Sequence, residues 1–284
     1  MEYPQVNLSE WTRVGKGYNG EALVSELHPG IILKLVRTDM GTAQKVEQEF
    51  EASRIAFETG IPTPRVYEIV RDGKDHGYLC EKIEGKKSIA RLCADNPNRI
   101  PEFAARMAEY GKQLHSMPIQ ASARVIPAKQ LLRDALAASD VVTDSQRKHL
   151  ASFVEAMPEA GTVLHGDFQP GNIILSGDKH YWIDMGWLSQ GWYMMDLAHL
   201  YKMMVEDSVI PAVQELTHMN REQMISFWDA FARAYTGTDD VEALNRTLLP
   251  YSALDLIRTS YLHRNDNPQF LAFVRSRITQ ELGF

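Results

Sequence analysis

Cysteine is scarce in this chain: among 284 residues there are two, Cys80 and Cys93. Two cysteines are too few for a disulfide framework or a cysteine-rich zinc site, and they favour a reducing compartment. The 9 histidines show no His-Glu-x-x-His spacing, which argues against a zinc enzyme.

Long apolar runs and an excess of positive charge are also missing. No stretch reaches the roughly 18 apolar residues of a membrane-spanning helix. The amino terminus has no basic start followed by an apolar run, so we expect no signal peptide. With 30 Lys and Arg against 37 Asp and Glu, the formal net charge is −7, which argues against non-specific nucleic-acid binding. These absences predict a cytoplasmic protein that binds neither membrane nor nucleic acid.

What is present fits an ordinary globular protein. Hydrophobic residues make up 44% of the chain and charged residues 24%, which provides ample apolar material for a core. At roughly 150 residues per domain, the length favours about two domains, or one large domain with two lobes. We place them at residues 1–83 and 84–284, because the sequence changes character there.

Residues 1–83 are expected to be mostly β. Short apolar runs of strand length lie near residues 11–14, 22–25, 31–36, 66–70 and 77–81. Between the third and fourth of these runs, Val46, Phe50 and Phe57 recur at helical spacing and are expected to face the core. Gly60 then ends the predicted helix.

Residues 84–284 are expected to be mainly helical. Helical spacing or composition occurs near residues 101–117, 128–139, 144–157, 194–206, 221–235 and 268–280. One β-like island at 163–184 interrupts them, because two short runs flank the turn Ser176-Gly177-Asp178 and predict a hairpin. The predicted fold class is therefore α+β: a small antiparallel sheet with one helix, then a larger helical domain.

The strongest chemical signal is a set of polar residues before and after that hairpin. It comprises His165-Gly166-Asp167-Phe168-Gln169-Pro170-Gly171-Asn172, followed by Ile183-Asp184-Met185-Gly186. Carboxylate and amide oxygens are ligands that Mg²⁺ prefers, and a separate Asp can orient a substrate hydroxyl and accept its proton. The alternative interpretation is a polar turn capped by Asp and Asn.

A glycine-rich loop lies near the amino terminus. Gly15, Gly17 and Gly20 match the pattern G-x-G-x-x-G. A strand rather than a helix is expected after it, which disfavours a Rossmann fingerprint. The missing side chains would let backbone amides approach phosphates; the alternative is a plain hairpin turn.

A single lysine interrupts the apolar run at 31–36. Lys34 is placed to reach nucleotide phosphates as a point charge, or else it faces solvent from a half-exposed strand. Glu49 on the following helix is its candidate ion-pair partner, because the predicted buried face lies beside it. Glu47 and Glu51 are the rivals.

Taken in chain order, these features resemble the aminoglycoside phosphotransferase/choline kinase family, which has the bilobal protein-kinase-like fold. The landmarks are the glycine loop, Lys34, Glu49, Ile61-Pro62-Thr63-Pro64, Leu114-His115, His165-Gly166-Asp167 with Asn172, Ile183-Asp184-Met185-Gly186, and Gly191 with Asp196-Leu197-Ala198. They span about residues 12–200. The last 80 or so residues match no motif.

The resemblance implies a role for each matched residue. Asp167 would be the catalytic base that orients the acceptor hydroxyl. Asn172 and Asp184 would hold Mg²⁺ against the phosphates of ATP, which Lys34 and Glu49 would fix in place.

The resemblance also implies how the adenine base is bound. Backbone groups at the junction of the two domains would receive it, which makes Glu81 and Ile83 the candidates. His165 is expected to brace the catalytic loop by hydrogen bonds, and Asp196 is expected to cap or tether its helix.

We therefore expect an ATP- and Mg²⁺-dependent kinase acting on the hydroxyl of an aminoglycoside-, choline- or sugar-like small molecule. A nucleotide-binding pseudoenzyme or regulatory module is the alternative. A protein kinase is a weaker one, because the loop lacks His-Arg-Asp and no Ala-Pro-Glu follows Asp184. Trp187, Trp192 and Tyr193 either form the floor of the acceptor pocket or pack in the core. Nothing in the sequence specifies an oligomeric state.

Overall fold

The structure is a computed structural model and describes residues 3–16, 20–37, 43–263 and 268–283. Its strands are β1 (Thr12–Lys16), β2 (Glu21–Val24), β3 (Ile31–Val36), β4 (Val66–Asp72), β5 (Asp75–Glu81), β6 (Lys87–Ser88), β7 (Val163–Leu164), β8 (Ile173–Ser176), β9 (Lys179–Trp182) and β10 (Ser189–Gln190). Its helices are α1 (Ala43–Glu58), α2 (Ile89–Asp95), α3 (Ile100–Ser116), α4 (Ala128–Ala138), α5 (Asp144–Ala156), α6 (Met194–Tyr201), α7 (Pro211–Thr217), α8 (Arg221–Thr236), α9 (Val241–His263) and α10 (Pro268–Leu282). Within these described ranges, no helix combines the length and apolar character needed to cross a membrane.

The chain forms two compact units. The first consists of the chain up to Ser88 together with Asn172–Leu188, and the second of Ile89–Gly171 together with the chain from Ser189 onward. The division into domains at residues 1–83 and 84–284 stays a prediction.

The first unit is built on a five-stranded antiparallel sheet with the strand order β1-β2-β3-β5-β4. Because side chains alternate across a strand, Leu33 and Leu35 of β3 enter one apolar cluster. Ile32 enters another cluster, which includes Val46 of α1. Lys34 shares the face of Ile32, and this alternation directs it toward α1.

A second, three-stranded sheet of the first unit has the order β6-β8-β9. Its β8–β9 hairpin turns at Gly177, whose φ of 57° lies in the left-handed region that favours glycine. Beyond the last strand pair, the backbone N–H of Ile183 donates to the carbonyl of Asn172 at 3.0 Å. Asn172 and Asp184 therefore lie at the same open end of the hairpin.

The second unit is mainly helical and is organised around α9. Residues 251–258 of this helix are all buried, since α4, α6 and α10 pack around it. The two-residue strands β7 and β10 pair antiparallel. Because β7 ends at Leu164, the pairing of β7 with β10 fixes where the next segment, which begins with His165, starts.

Most predicted elements are confirmed. The five strands predicted within residues 1–83, the hairpin and the predicted helices are present, with ends within a few residues of those expected. The helix predicted at 194–206 comprises α6 and a π-helical turn at Lys202–Glu206. Three helices, α2, α7 and α9, were not predicted.

One expected core position in α1 is wrong. Phe57 is 43% exposed, whereas its neighbour Ala56 is fully buried. The Arg65 guanidinium lies over the Phe57 ring, 6.0 Å from its centroid. A long cationic side chain can cover an aromatic face at the surface, so this residue needs no place in the core.

Candidate active site

An ion-pair cluster joins β3, α1 and the loop after β9. Lys34 Nζ lies 2.7 Å from Glu49 Oε1 and also contacts Asp184 Oδ1. The hydroxyl of Tyr78 donates to the same oxygen of Glu49 at 2.8 Å. Burial alone would lower the pKa of Lys34, but Asp184 and Glu49 raise it well above its ordinary value. Lys34 is therefore a fixed positive charge between two carboxylates.

The rival acidic residues on α1 have other partners. Glu47 accepts a hydrogen bond from the Tyr3 hydroxyl, and Glu51 pairs with Arg54 at 2.8 Å. Both therefore bind groups other than Lys34, and Glu49 is the residue that the structure brings to it.

The loop that carries Asp184 has an uncommon backbone. Asp184 has φ 59° and ψ 48°, the left-handed conformation, which costs a non-glycine L-residue about 1–2 kcal/mol. Two residues later, a Cβ on Gly186 would lie 3.3 Å from Glu49 Cγ. Such local strain is often retained where a side chain must be aimed. The loop thus packs directly against α1 beside Glu49.

Two oxygen donors lie at the open end of the β8–β9 hairpin. Asn172 is 5% exposed, and the Asp184 side chain is 44% exposed. An amide oxygen and a carboxylate are the donors that a hard divalent cation such as Mg²⁺ takes, with phosphate and water oxygens completing its shell. The residues present therefore fit Mg²⁺.

The predicted phosphate loop is described in part. Gly17 lies outside the described residues. Gly15 pairs with Ala22 in the β1–β2 ladder, and a Cβ on Gly20 would approach the carbonyl oxygen of Leu35 to 2.5 Å. A side chain at position 20 would therefore collide with the backbone of β3.

The predicted adenine contacts also belong to the first unit. Glu81 ends β5, and its backbone N–H donates to the carbonyl of Arg65 at 2.8 Å. A contact from Glu81 to adenine would therefore use its carbonyl group. Ile83 is buried, two residues beyond the strand.

In the second unit, a buried carboxylate holds the loop that contains Asp167. Asp196 of α6 accepts hydrogen bonds from the backbone N–H groups of His165 at 2.7 Å and Gly166 at 2.9 Å. His115 Nε2 lies 3.0 Å from the same carboxylate. Burial alone would raise the pKa of Asp196, but His115 and the Gly166 N–H lower it. Asp196 thus tethers the loop and stays ionised there.

Other groups fix the same loop. His165 is fully buried, and its Nδ1 accepts from the backbone N–H of Asp167 at 3.2 Å. Arg258 of α9 donates to the Gly166 carbonyl at 2.7 Å. The Phe168 ring lies against Gly111 of α3, where a Cβ would be 2.8 Å from its Cζ. The loop backbone is therefore anchored to α3, α6 and α9.

Two side chains contact one oxygen of the Asp167 carboxylate. Gln169 Nε2 donates to Asp167 Oδ1 at 3.1 Å, and His199 Nε2 lies 3.1 Å from the same atom. The other ring nitrogen of His199 lies 3.0 Å from Asp255 Oδ2. The side chain of Asp167 is 29% exposed, so the carboxylate is both held and accessible.

Sequence reasoning missed Tyr78, His199, Asp255 and Arg258. The last two lie on α9, which was itself not predicted. His199 follows Asp196 by three residues, and residues at that spacing share a helix face. This spacing is the signal that could have found His199.

The three aromatic residues that follow Asp184 in the sequence belong to different units. Trp187 belongs to the first unit. Trp192 and Tyr193 belong to the second, with ring centroids 4.3 Å apart, and the Tyr193 ring lies 5.6 Å from that of Tyr235.

Residues 10–241 match the family model described as "Phosphotransferase enzyme family". Since this match covers most of the chain, the chain belongs to that family. The protein is therefore a phosphotransferase, an enzyme of the small-molecule kinase class.

Solved structures share the fold. One is a choline/ethanolamine kinase family protein from Mesorhizobium loti, at 16% identity and a TM-score of 0.56, with 96% of this chain and 87% of that chain covered. Another is a thermostable mutant of the aminoglycoside phosphotransferase APH(4)-Ia in a ternary complex with ADP and hygromycin B, at 14% identity and a TM-score of 0.64, covering 97% and 94%. A third is the amicoumacin kinase hAmiN in complex with AMP-PNP, Ca²⁺ and Ami, at 15% identity and a TM-score of 0.58, covering 98% and 90%. The predicted kinase-like α+β fold is thereby confirmed.

A curated relative is the probable bifunctional tRNA threonylcarbamoyladenosine biosynthesis protein of Methanosarcina barkeri (strain Fusaro / DSM 804). It is 26% identical over 181 residues, which cover 58% of this chain and 31% of that protein. The match thus spans about a third of the relative's length.

Proposed function

We propose that this phosphotransferase uses ATP and Mg²⁺ to phosphorylate a hydroxyl group of a small molecule, with Asp167 as the catalytic base. The observation that carries the proposal is the Lys34 ammonium group held between Glu49 and Asp184. A core-packing role would not require a lysine and two carboxylates from three separate segments of the chain to converge there.

On the nucleotide side, Lys34 would bind the phosphates as a point charge. Glu49 holds the ammonium group at 2.7 Å, so the lysine does not have to be ordered when ATP binds. Gly15, Gly17 and Gly20 would cover the phosphates with backbone N–H groups. The carbonyl of Glu81 and the backbone of Ile83 would receive the adenine.

Asn172 and Asp184 would hold Mg²⁺ by their side-chain oxygens. When bound, the cation would neutralise charge on the nucleotide phosphates. The left-handed backbone at Asp184 presents its carboxylate at the end of the hairpin where Asn172 also lies.

On the acceptor side, Asp167 would accept a hydrogen bond from the substrate hydroxyl and then its proton. The hydroxyl oxygen forms a bond to the γ-phosphorus as the bond to the leaving ADP oxygen breaks, and the proton goes to the Asp167 carboxylate. Positioning supplies much of the rate in such reactions, which agrees with the anchoring of this loop by Asp196 and Arg258.

For the acceptor, we propose an alcohol group on an aminoglycoside-, choline- or sugar-like molecule. Support comes from the names of fold relatives that include a choline/ethanolamine kinase family protein, an aminoglycoside phosphotransferase and an amicoumacin kinase. The paired rings of Trp192 and Tyr193, in the same unit as Asp167, offer an aromatic surface for such a molecule.

Thermal unfolding with ATP, in the presence and absence of Mg²⁺, tests the nucleotide site. At 100 times Kd, one-site binding adds about 2.7 kcal/mol. With an unfolding entropy of about 2.1 cal/mol/K per residue, this raises Tm by about 5 °C. Asp184→Asn should abolish the part of the shift that needs Mg²⁺. Asn tolerates the left-handed backbone, so the variant should still fold.

Asp178→Asn is the matched control, because Asp178 is an exposed residue in the turn of the same hairpin. It should keep the full shift. Absence of any shift in folded wild-type protein with millimolar ATP would contradict the proposal. A shift that is independent of Mg²⁺ and survives Asp184→Asn would favour the pseudoenzyme alternative.

A further inference from the structure

We propose that a protonated His199 positions the Asp167 carboxylate and keeps it ionised, with Asp255 holding the imidazolium in place. His199 is thus a positioning residue rather than a catalytic one. This inference rests on the proposed function, because it assigns His199 to the base of that reaction.

The geometry of the ring argues for the charged form. His199 Nε2 faces Asp167 Oδ1 at 3.1 Å, and Nδ1 faces Asp255 Oδ2 at 3.0 Å. A neutral imidazole has one N–H donor and one acceptor, whereas the imidazolium has two donors. Only the protonated ring can donate to both carboxylates at once. In the neutral ring, a nitrogen lone pair would face a carboxylate oxygen.

The charges around His199 favour the same state. Asp255 is fully buried and pairs with Arg258 at 2.6 Å, while Lys202 Nζ lies 3.8 Å from it. Lys202 also pairs with Asp207 at 3.3 Å. Burial and Lys202 each lower the pKa of His199, but the two carboxylates raise it to about 9.

These contacts act on the proposed base in two ways. Because His199 and Gln169 both bind Asp167 Oδ1, the carboxylate is restrained in rotation. A positive charge at hydrogen-bond distance also favours its ionised form, which is the form that can accept a proton. A merely structural histidine would join α6 to α9 without affecting either property.

A titration of the imidazole by NMR tests the charge state without any substrate. The His199 signal is assigned by its loss in His199→Gln. In the wild type we expect an apparent pKa of about 9. In Asp255→Asn, which removes one carboxylate, we expect a fall of about one unit or more. A titration near the ordinary value of about 6.5 in the wild type would overturn the inference.

Turnover tests the positioning role. ADP release from ATP and Mg²⁺ is measured with water as the acceptor over pH 6–10, in the wild type, His199→Gln, Asp255→Asn and Asp167→Asn. Glutamine can still donate one hydrogen bond but carries no charge. In the wild type we expect activity to decline above pH 9, because His199 loses its proton there. In His199→Gln we expect kcat to fall about tenfold or more, the KM for ATP to stay unchanged, and this alkaline decline to disappear. His149→Gln, on the exposed surface of α5, is the matched control and should behave as the wild type.

The outcomes separate the two proposals. If Asp167→Asn retains wild-type turnover, the proposed function fails at its base. If Asp167→Asn loses turnover while His199→Gln keeps both the wild-type kcat and the alkaline decline, Asp167 stands and the role of His199 is overturned. Asp255→Asn supplies the same comparison should His199→Gln not fold.

Discussion

Replacing Asp196 with Asn should loosen the loop that carries Asp167. The carboxylate accepts from two backbone N–H groups, at 2.7 and 2.9 Å, and is 1% exposed. Asn retains one oxygen, so its NH₂ group must face one of these N–H donors or turn away. Either way, one buried donor loses its acceptor.

The expected loss of stability follows from the one buried donor left without an acceptor. An unsatisfied buried donor costs about 1–3 kcal/mol, and hydrogen bonds to charged groups contribute about 1.5–3 kcal/mol each. We therefore expect Asp196→Asn to lower the free energy of unfolding by about 3 kcal/mol. This corresponds to a fall in Tm of about 5 °C for a chain of this length.

Amide hydrogen exchange locates the effect. The amides of His165 and Gly166 should exchange at least about tenfold faster in Asp196→Asn than in the wild type, since 1.4 kcal/mol of lost protection is a factor of about ten. Asp229→Asn, an exposed position on α8, should change neither Tm nor exchange. Unchanged exchange at residues 165 and 166 in a folded Asp196→Asn variant would show that Asp196 does not hold this loop.

Two further predictions concern stability. Gly77→Ala should destabilise the five-stranded sheet by about 1–3 kcal/mol or more, because the new Cβ would lie 2.2 Å from the Lys34 carbonyl oxygen. Gly15→Ala is the control, since its Cβ makes only an ordinary 3.6 Å contact. Equal urea midpoints for the two variants would show this prediction to be wrong. The pKa of His199 is raised to about 9 in the folded state. The contribution of His199 to the free energy of unfolding is therefore complete below about pH 6.5, its pKa in the unfolded chain, and is lost as the pH rises to 9. The free energy of unfolding should therefore fall by about 3 kcal/mol across that interval, and a fall of equal size in His199→Gln would contradict this origin.

The strands of the five-stranded sheet and the Lys34–Glu49 pair could be predicted from local pattern, whereas Asp184, 150 residues from Lys34 in the chain, was placed near the phosphates only by the family resemblance. Strand alternation places Lys34 on the face of Ile32 and Val36, which packs on α1. A helix begun after residue 42 then has Glu49 within reach of that face. Short-range periodicity and a few motif residues contain this information.

Helix α9 could not be predicted, because it lacks an amphipathic pattern. Eight consecutive residues, 251–258, are buried, and they include the polar Ser252, Asp255 and Arg258, so burial extends around the whole helix and no apolar stripe marks one face. Pro250 lies inside the helix, and a proline at such a position predicts a helix break.

The contact that joins His199 to Asp255 was hidden for a different reason. His199 and Asp255 are 56 residues apart in the chain, and their meeting depends on how α6 packs against α9. No motif spacing encodes such a contact; tertiary packing creates it. Phe57 is an error in the other direction. Helical spacing alone predicted that it is buried, whereas it lies at the surface under Arg65.

Phosphoryl transfer itself tests the proposed function. ADP release from ATP and Mg²⁺ is measured with water and with a panel of aminoglycoside, amino-alcohol and sugar acceptors, for the wild type and Asp167→Asn. We expect at least one acceptor to raise turnover above the rate with water, and Asp167→Asn to lower that turnover by about 10²–10⁴-fold. Turnover that survives Asp167→Asn unchanged, or folded wild-type protein that releases no ADP with any acceptor, would contradict the proposed function.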